Sequence, residues 1–382
     1  MDGKILIETI RLRNILSFGN KGERVYFESL NIIIGQNASG KSNLIDVIKL
    51  LRSLPKEKGL VKFISENGGI TEWIWKGSLT KNDLKKNLNL SARFRLVGGN
   101  INYELAFTEN LQRINVIDEK FYNGKGVDLF KRNERKVLDN RSIDETLLSD
   151  SNLQLNNQLK SDFIFLRGLL LRSVAIYTDL LTNRKSEIRK PQLPDAPNDF
   201  LEEDGSNLAL VLNDLEHRGD SKDKIVENLR KFNPKIKDYS IRILGGTVQL
   251  FIREEGLEKP ISAMRLSDGT LRFLCLLAVL CHPEPPPLIC IEEPETGLHP
   301  DILPTIAELM KDAAQRTQLI VTTHSDILVS AFSDLPEAVL VCEKDADGTH
   351  FKRLEAEKLK TWLDEYTLGE AWLRGAIGGT RW

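Results

Sequence analysis

The sequence predicts an α/β fold: a mixed sheet that meets a phosphorylated ligand at a strand-to-helix junction, with an antiparallel β subdomain and a helical lobe. Three observations predict it. Residues 35–42, Gly-Gln-Asn-Ala-Ser-Gly-Lys-Ser, are a complete G-x-x-x-x-G-K-[ST] loop. The apolar run 30–34 precedes the loop, and Leu44, Ile45, Val47, Ile48 and Leu51 follow it at helical spacing. Far down the chain, the apolar runs 288–291 and 319–322 end in residues that can do chemistry.

The first element is the loop itself. Gly35, Gln36, Asn37, Ala38, Ser39, Gly40, Lys41, Ser42 and Asn43 form the candidate phosphate cradle. Backbone N–H groups and a helix N-terminus converge there and favour an anion. Lys41 is placed to reach the β- and γ-phosphates, and the Ser42 hydroxyl to ligate Mg²⁺. Gly35 and Gly40 allow the backbone to curl close to oxygen atoms.

The remaining elements follow from periodicity and breakers. Strands are expected over 5–12 and 24–27, ahead of the loop. Residues 60–135 read as β-rich, with a hairpin of 90–97 and 101–107 around Gly98-Gly99-Asn100 and a further turn at Asn123-Gly124. From 144 to 182 the spacing is helical, and Pro191, Pro194 and Pro197 break the region. Helices are expected over 207–215, 221–232 and 271–280, and a strand pair over 239–252 turning at Gly245-Gly246. Buried strands are expected over 288–291, 319–322 and 338–342. These divide the chain into 1–143 (the loop and the β subdomain), 144–285 (a helical lobe) and 286–382 (the rest of the binding lobe).

Composition excludes several classes. The 53 Lys and Arg balance 55 Asp and Glu, a net charge of −2, which argues against a DNA coat and against an acidic disordered chain. Cys275, Cys281, Cys290 and Cys342 form no C-x-x-C pair and read as buried apolar residues in a reducing cytosol. The start lacks a signal-peptide pattern and the longest apolar run is too short for a bilayer. A soluble, cytoplasmic protein without membrane contact is the expectation.

The second half of the site lies on the late strands. Leu288-Ile289-Cys290-Ile291-Glu292-Glu293 delivers two acids to the C-terminal end of a buried strand. Glu292 suits Mg²⁺, through water, and Glu293 suits polarising an attacking water. The strand 319–322 leads to Thr323 and His324, a histidine able to sense a terminal phosphate. Leu266-Ser267-Asp268-Gly269-Thr270 opens a helix, with Ser267 as its cap and Gly269 allowing backbone approach to phosphate.

Together these motifs resemble an ABC-type P-loop ATPase head of the RecF/SMC group, close to short ATPases related to the OLD family. The matching pieces are Arg13-Asn14-Ile15-Leu16-Ser17-Phe18, the phosphate loop, the signature 266–270, the segment from Glu292 to Pro300, and Thr322-Thr323-His324-Ser325. The tail from Trp362 to Gly379 matches as well. The resemblance implies ATP and Mg²⁺ as ligands and a homodimer that sandwiches two ATP molecules. In it, Ser267 and the Gly269 backbone of one head face the phosphates held by Lys41 of the other. Lys41, Glu293 and His324 would be its catalytic residues, with Asn14 and Ser17 near the adenine. The chain departs from the pattern at four places. Asp268 stands at the usual second glycine of the signature, Thr270 at its final residue, Glu292 at the usual Asp, and Leu16 where relatives often carry Arg. The glutamine that contacts Mg²⁺ has one candidate, Gln192, set against a plain proline-rich loop.

Three functions compete: a DNA-linked head in genome maintenance or anti-phage defence, a scaffold that gates a partner toxin or nuclease, and a transporter subunit. The long stretch between loop and signature and the Arg-Asn-x-x-Ser-Phe start favour the first. Lys120, Lys125, Lys131, Arg132, Arg135, Lys136 and Arg141 form one basic stretch. Lys160, Arg167, Arg172, Arg184, Lys185, Arg189 and Lys190 form another. They either track a phosphate backbone or make an ordinary solvated surface. The segment after His324 is too short for the OLD nuclease domain, so any nuclease or toxin activity is expected on a separate partner. The tail aromatics Trp362, Tyr366 and Trp372 are expected in the core, and Trp382 outside it.

Overall fold

A computed structural model of the chain describes residues 4–77, 87–96, 99–124, 128–133, 144–149, 157–180 and 182–379. In chain order the elements are β1 (Ile7–Arg13), β2 (Glu23–Tyr26), β3 (Leu30–Gly35), α1 (Lys41–Ser53), α2 (Gly59–Glu66) and α3 (Ile70–Trp73). Next come β4 (Leu88–Leu96), β5 (Gly99–Asn110), β6 (Arg113–Asn123), β7 (Asp128–Asn133), α4 (Asn157–Arg172) and β8 (Val174–Tyr177). They are followed by α5 (Leu208–Leu215), α6 (Ser221–Phe232), β9 (Ile236–Leu244), β10 (Thr247–Glu254), β11 (Ile261–Ser262) and α7 (Asp268–Leu280). The last are β12 (Leu288–Glu292), α8 (Leu303–Ala313), β13 (Gln318–Thr322), α9 (Asp326–Ser330), β14 (Val339–Asp345), β15 (Gly348–Arg353), α10 (Ala356–Leu363) and α11 (Leu368–Leu373).

The chain divides into two units. The first comprises Ile5–Val174, Glu337–Lys358 and Trp372–Trp382. Its β3 is buried along its whole length, because Leu30 to Ile34 have apolar neighbours on both faces. β3 runs parallel to β14, with Ile34 opposite Val341 and Gly35 opposite Cys342, and β15 closes antiparallel on β14. α1 buries Leu44, Ile45, Val47, Ile48 and Leu51, the stripe that its spacing predicts. A six-stranded antiparallel sheet, ordered β2-β1-β4-β5-β6-β7, completes the unit. It alternates cleanly: Ile10, Leu12, Leu90, Ala92, Phe94, Leu105 and Phe107 are buried, while their strand neighbours face water.

The second unit comprises Met1–Lys4, Ala175–Pro336 and Leu359–Ala371. β12 and β13 pair in parallel from Leu288↔Gln318 to Glu292↔Thr322. A three-stranded antiparallel sheet is ordered β11-β10-β9 and turns at Gly245-Gly246. α7 buries Leu271 and every residue from Phe273 to Leu280, so it is a core helix.

Most expected elements form near the expected bounds, and four expectations need correction. Residues 60–135 are not uniformly β: α2 and α3 come first, with Leu60 and Ile64 buried four apart in one and Ile70 and Trp73 three apart in the other. The helical stretch 144–182 ends at Arg172, where Val174-Ala175-Ile176-Tyr177 switches to a strand of β-branched and aromatic residues. Trp372 is in the core, but Trp362 is 39% exposed and packs on Tyr366 at the surface. Arg189, grouped with the surface cations, is buried. α8 and β15 lie outside the sequence expectation. Of the hairpin residues, Val97 and Gly98 lie outside the described residues, as do Lys125, Arg135, Lys136, Arg141 and Trp382. The side chains of Lys131, Arg132 and Lys160 are likewise outside them. All four cysteines are buried free thiols. Burial raises Cys275 and Cys281 to about 12 and Cys342 to about 11, which keeps these thiols protonated.

Candidate active site

In the first unit the strand–loop–helix junction forms as the motif requires. Gly35 ends β3 with φ +150, and a Cβ there would lie 2.1 Å from the Cys342 carbonyl oxygen. Ala38 carries the loop through φ +60. Gln36, Asn37 and Ala38 are exposed, whereas Ser39, Gly40 and Lys41 are buried. The Lys41 ammonium donates to the carbonyls of Gly35 and Gln36, each at 2.8 Å. Its charge is thus held at the mouth of its own loop, where phosphate oxygens would compete for it. Ser42 is exposed and Asn43 half-buried in the first turn of α1. No acidic residue lies in the first turn of this 13-residue helix, so its own side chains leave the positive end of the helix dipole open to an anion.

The loop is braced from its own unit. Thr349 Oγ1, on β15, lies 2.7 Å from Ser17 Oγ and 2.6 Å from the Ser39 carbonyl oxygen. A Cβ on Gly40, which has φ +114, would sit 2.3 Å from Thr349 Oγ1 and 2.6 Å from Ser17 Oγ. Glycine is therefore required there by conformation and by space. Ser17, expected near the nucleotide base, is brought to the loop. Asn14 is 3% exposed with φ +55; its Nδ2 donates to the Asn87 carbonyl and its Oδ1 is buried without a partner. The tail adds a second brace: Gly379 packs so that a Cβ would lie 3.3 Å from Gly35 Cα, and its carbonyl accepts from Trp372 Nε1.

In the second unit, β12 delivers Glu292 half-buried at its end. Glu293 then turns left-handed, with φ +45, while its N–H still donates to the Thr322 carbonyl at 2.9 Å. A side chain rarely tolerates this conformation, and such strain collects at functional positions. The turn swings Glu293 Oε1 to 3.5 Å from His324 Nε2. Glu295 supports the same corner: its Oε1 accepts from Thr323 Oγ1 at 2.7 Å and from the His324 N–H at 2.8 Å. Burial raises the Glu295 pKa, partly offset by these two donors.

The signature is a capped helix start. Ser267 caps α7 by accepting from the Thr270 N–H at 3.1 Å, and the residue is exposed. A Cβ on Gly269 would be 3.1 Å from the Gly297 carbonyl oxygen. The residue that motif reading missed is Arg189. Its buried guanidinium pairs with Asp268 and donates to the carbonyls of Thr182, Asn183, Ala263 and Leu266. Nothing in Ile188-Arg189-Lys190 announces this role. Arg272 of α7 donates to the Thr296 carbonyl at 2.8 Å, which ties the signature helix to the segment after Glu293.

Gln192 is part of the framework: it bridges Val248 through the backbone, and its Oε1 accepts from the Leu210 N–H. Among the described residues no group of three or more His, Cys, Asp or Glu could hold a metal. The exposed Ser42 hydroxyl and the Glu292 carboxylate are hard oxygen donors, the kind that hold Mg²⁺ together with water and phosphate rather than in a protein cage. Of the surface cations, Lys120 pairs with Asp118 and Lys190 with Glu187. No helix among the described residues is long and apolar enough to cross a membrane.

Comparison with known proteins gives a family and a fold. The family model described as "AAA domain, putative AbiEii toxin, Type IV TA system" matches residues 30–330. Among solved structures, an Smc head bound to the C-terminal winged-helix domain of ScpA aligns with TM-score 0.61 at 15% identity, over 93% of this chain and 99% of that one. The Pyrococcus furiosus Smc head, with an extended coiled coil and bound to the ScpA C-terminal domain, gives 0.60 at 14% identity over 94% and 99%. The Pyrococcus yayanosii Smc head with a coiled coil and joint gives 0.53 at 11% over 94% and 99%. The shared property is the fold of an ABC-type ATPase head. A search of curated proteins finds no match.

Proposed function

The chain belongs to this AAA-domain family, and from that membership and the geometry of its two half-sites we propose that it is an ATP-hydrolysing switch. Lys41 and the loop amides would bind the phosphates, and Ser42 and, through water, Glu292 would hold Mg²⁺, which would supply charge neutralisation on the phosphate oxygens. Glu293 accepts a proton from the attacking water, and His324 orients Glu293 and contacts the terminal phosphate. The observation that carries the reading is the Glu293–His324 pair, built where Glu293 turns left-handed at the end of β12.

The switch works as a homodimer. The exposed Ser267 and the Gly269 backbone of one head meet the phosphates held by Lys41 of its twin, so that ATP closes the pair and hydrolysis opens it. The Arg272–Thr296 bond supports such coupling, because it joins the signature helix to the chain just beyond Glu293. The head serves genome maintenance or anti-phage defence, acting on DNA or through a separate nuclease or toxin. Two of the matched Smc heads are bound to ScpA domains, and the family description names a toxin system, which supports a protein partner.

The test is a trap. Glu293→Gln should bind ATP, hydrolyse it at least about a hundredfold more slowly and accumulate as a dimer by light scattering. Lys41→Ala should neither bind ATP nor dimerise. A Glu293→Gln chain that stays monomeric with saturating ATP at high protein concentration sinks the sandwich. A wild-type chain that dimerises with ATP but never turns it over makes the protein a scaffold that gates its partner by binding alone.

A further inference from the structure

The solvent face of the antiparallel sheet in the first unit gathers positive charge. Arg11 on β1 lies directly opposite Arg24 on β2, and Thr9 opposite Tyr26. Across the other edge of β1, Thr9 meets Arg93 on β4. Further along the same face, Glu104 of β5 meets Lys120 of β6, and Asn102 meets Tyr122. Five cations, Arg11, Arg13, Arg24, Arg93 and Lys120, stand against two carboxylates, Glu104 and Asp118, around one cavity of about 360 Å³. The chain as a whole carries −2, so this face runs against the average.

The face is a trough, not a plane. β1, β4 and β5 lie between β2 and β6, and a flat sheet would hold β2 and β6 about 19 Å apart at ~4.8 Å per step. Yet residues of both strands line the same cavity, and the Arg24 charge acts on the Tyr122 hydroxyl. The sheet has rolled, as twisted sheets do.

The two carboxylates are already engaged. Lys120 pairs with Asp118 at 2.8 Å, and Glu104 accepts from the Tyr122 hydroxyl at 2.8 Å. Arg93 is held by Asn102 at 2.9 Å. The side chains of Arg11 and Arg24 make no hydrogen bond or ion pair among the described residues, and they sit cross-strand, where like charges are unfavourable. An anion between them would relieve that repulsion. Tyr26, 59% exposed, offers an open ring beside the pair.

We propose that this trough binds single-stranded nucleic acid, with Arg11 and Arg24 on its phosphates and Tyr26 as a platform for a base. The occupant follows from shape and chemistry. A cavity of this volume takes about one nucleotide at a time, whereas a double helix could only lie across its mouth. Arg11 and Arg13, two residues apart on one strand, are spaced ~6.7 Å along it, close to the phosphate repeat of an extended single strand. An acidic peptide would use the arginines but leave the tyrosine ring without a role, whereas bases stack on it. The proposal names the partner class of the ATP switch and rests on that reading for its biological use; the binding step needs no ATP.

The experiment is fluorescence anisotropy on the full chain with a short labelled oligothymidylate, the same length of mixed-sequence DNA as single strand and as duplex, and polyglutamate as competitor. Single strands should bind, with affinity falling as salt rises. Arg11→Gln with Arg24→Gln should weaken binding at least about tenfold and flatten the salt slope by about 1.4, two phosphates' worth. Tyr26→Ala should weaken it several-fold and Tyr26→Phe should not. The double variant should melt cooperatively and hydrolyse ATP at the wild-type rate without nucleic acid, which separates lost binding from lost folding. No binding at low salt, tighter binding of duplex than of single strand, equal competition by polyglutamate, or an unaffected double variant would each overturn the proposal. Strand binding by a chain that fails to hydrolyse ATP would leave the trough standing and remove the switch.

Discussion

Arg189 and Asp268 form an ion pair whose cationic half is buried, with 4% of its side chain exposed, and whose acidic half is 64% exposed. The pair gives the acid at the start of α7 a partner inside the protein. Arg189 gathers the carbonyls of the turn before α7, and Asp268 balances the charge that this brings into the interior.

The two halves of the pair should respond unequally. Arg189→Met leaves several buried carbonyls without donors and should cost about 2–4 kcal/mol in urea unfolding, with loss of ATP turnover. Asp268→Gly leaves the Arg189 charge without its carboxylate but with its carbonyl acceptors, so it should cost less than Arg189→Met and leave turnover within a few-fold of wild type. Equal costs would refute the assignment of the buried cation as organiser of the turn.

Gly40→Ala should fold and fail to bind ATP. The new methyl would collide with Thr349 Oγ1 and Ser17 Oγ in a backbone conformation that alanine avoids. Isothermal titration with ATP measures this. Retained affinity would mean that Thr349 and Ser17 do not brace the loop.

The tail should matter to the loop as well. Gly379→Ala would place a methyl 2.7 Å from Val341 Cγ1 and 3.3 Å from Gly35 Cα at φ +58. Trp372→Phe would remove the donor to the Gly379 carbonyl. Each should weaken ATP binding several-fold with a loss of about 1–2 kcal/mol in stability. Unchanged affinity in both would reduce the tail to simple packing.

Acid should destabilise the second unit through His282. Its Nε2 lies 3.0 Å from the Asp199 carbonyl oxygen and its Nδ1 accepts from the Glu284 N–H, which builds in the neutral ring. Burial lowers its pKa below 6.5. The unfolded chain therefore takes up the proton first as pH falls. The stability from the neutral ring is full above about pH 6.5 and is lost as pH falls through the folded value. His282→Gln keeps a donor for Asp199, so its thermal midpoint should fall less steeply than that of wild type between about pH 7 and about pH 5. Parallel acid limbs would exclude this histidine as the cause.

Much of the site was legible because its signals are local. Gly35 to Ser42 carry their own phosphate chemistry, the stripe from Leu44 to Leu51 carries its helix, and Ile289 to Glu293 carry a buried strand with acids at its end. The switch from helix to strand after Arg172 was harder, since four β-prone residues are too short a run to outweigh the helical spacing before them. Gln192 could be nominated only by residue type and place in the chain, and the contact of its carbonyl oxygen with the Leu210 N–H is visible only in the folded chain.

By itself the sequence determined the strand–loop–helix junction around 35–42, the strand that ends in two acids and the cap of α7, because those features depend on a few neighbours along the chain. Tertiary structure alone decided which residues hold them in place. Thr349 meets Ser17 across 332 positions and Arg189 meets Asp268 across 79. Glu293 likewise comes within reach of His324 only through the parallel pairing of β12 with β13. Contacts between distant segments leave no periodicity behind, since each depends on where the sheet register and the packed core bring two backbones together.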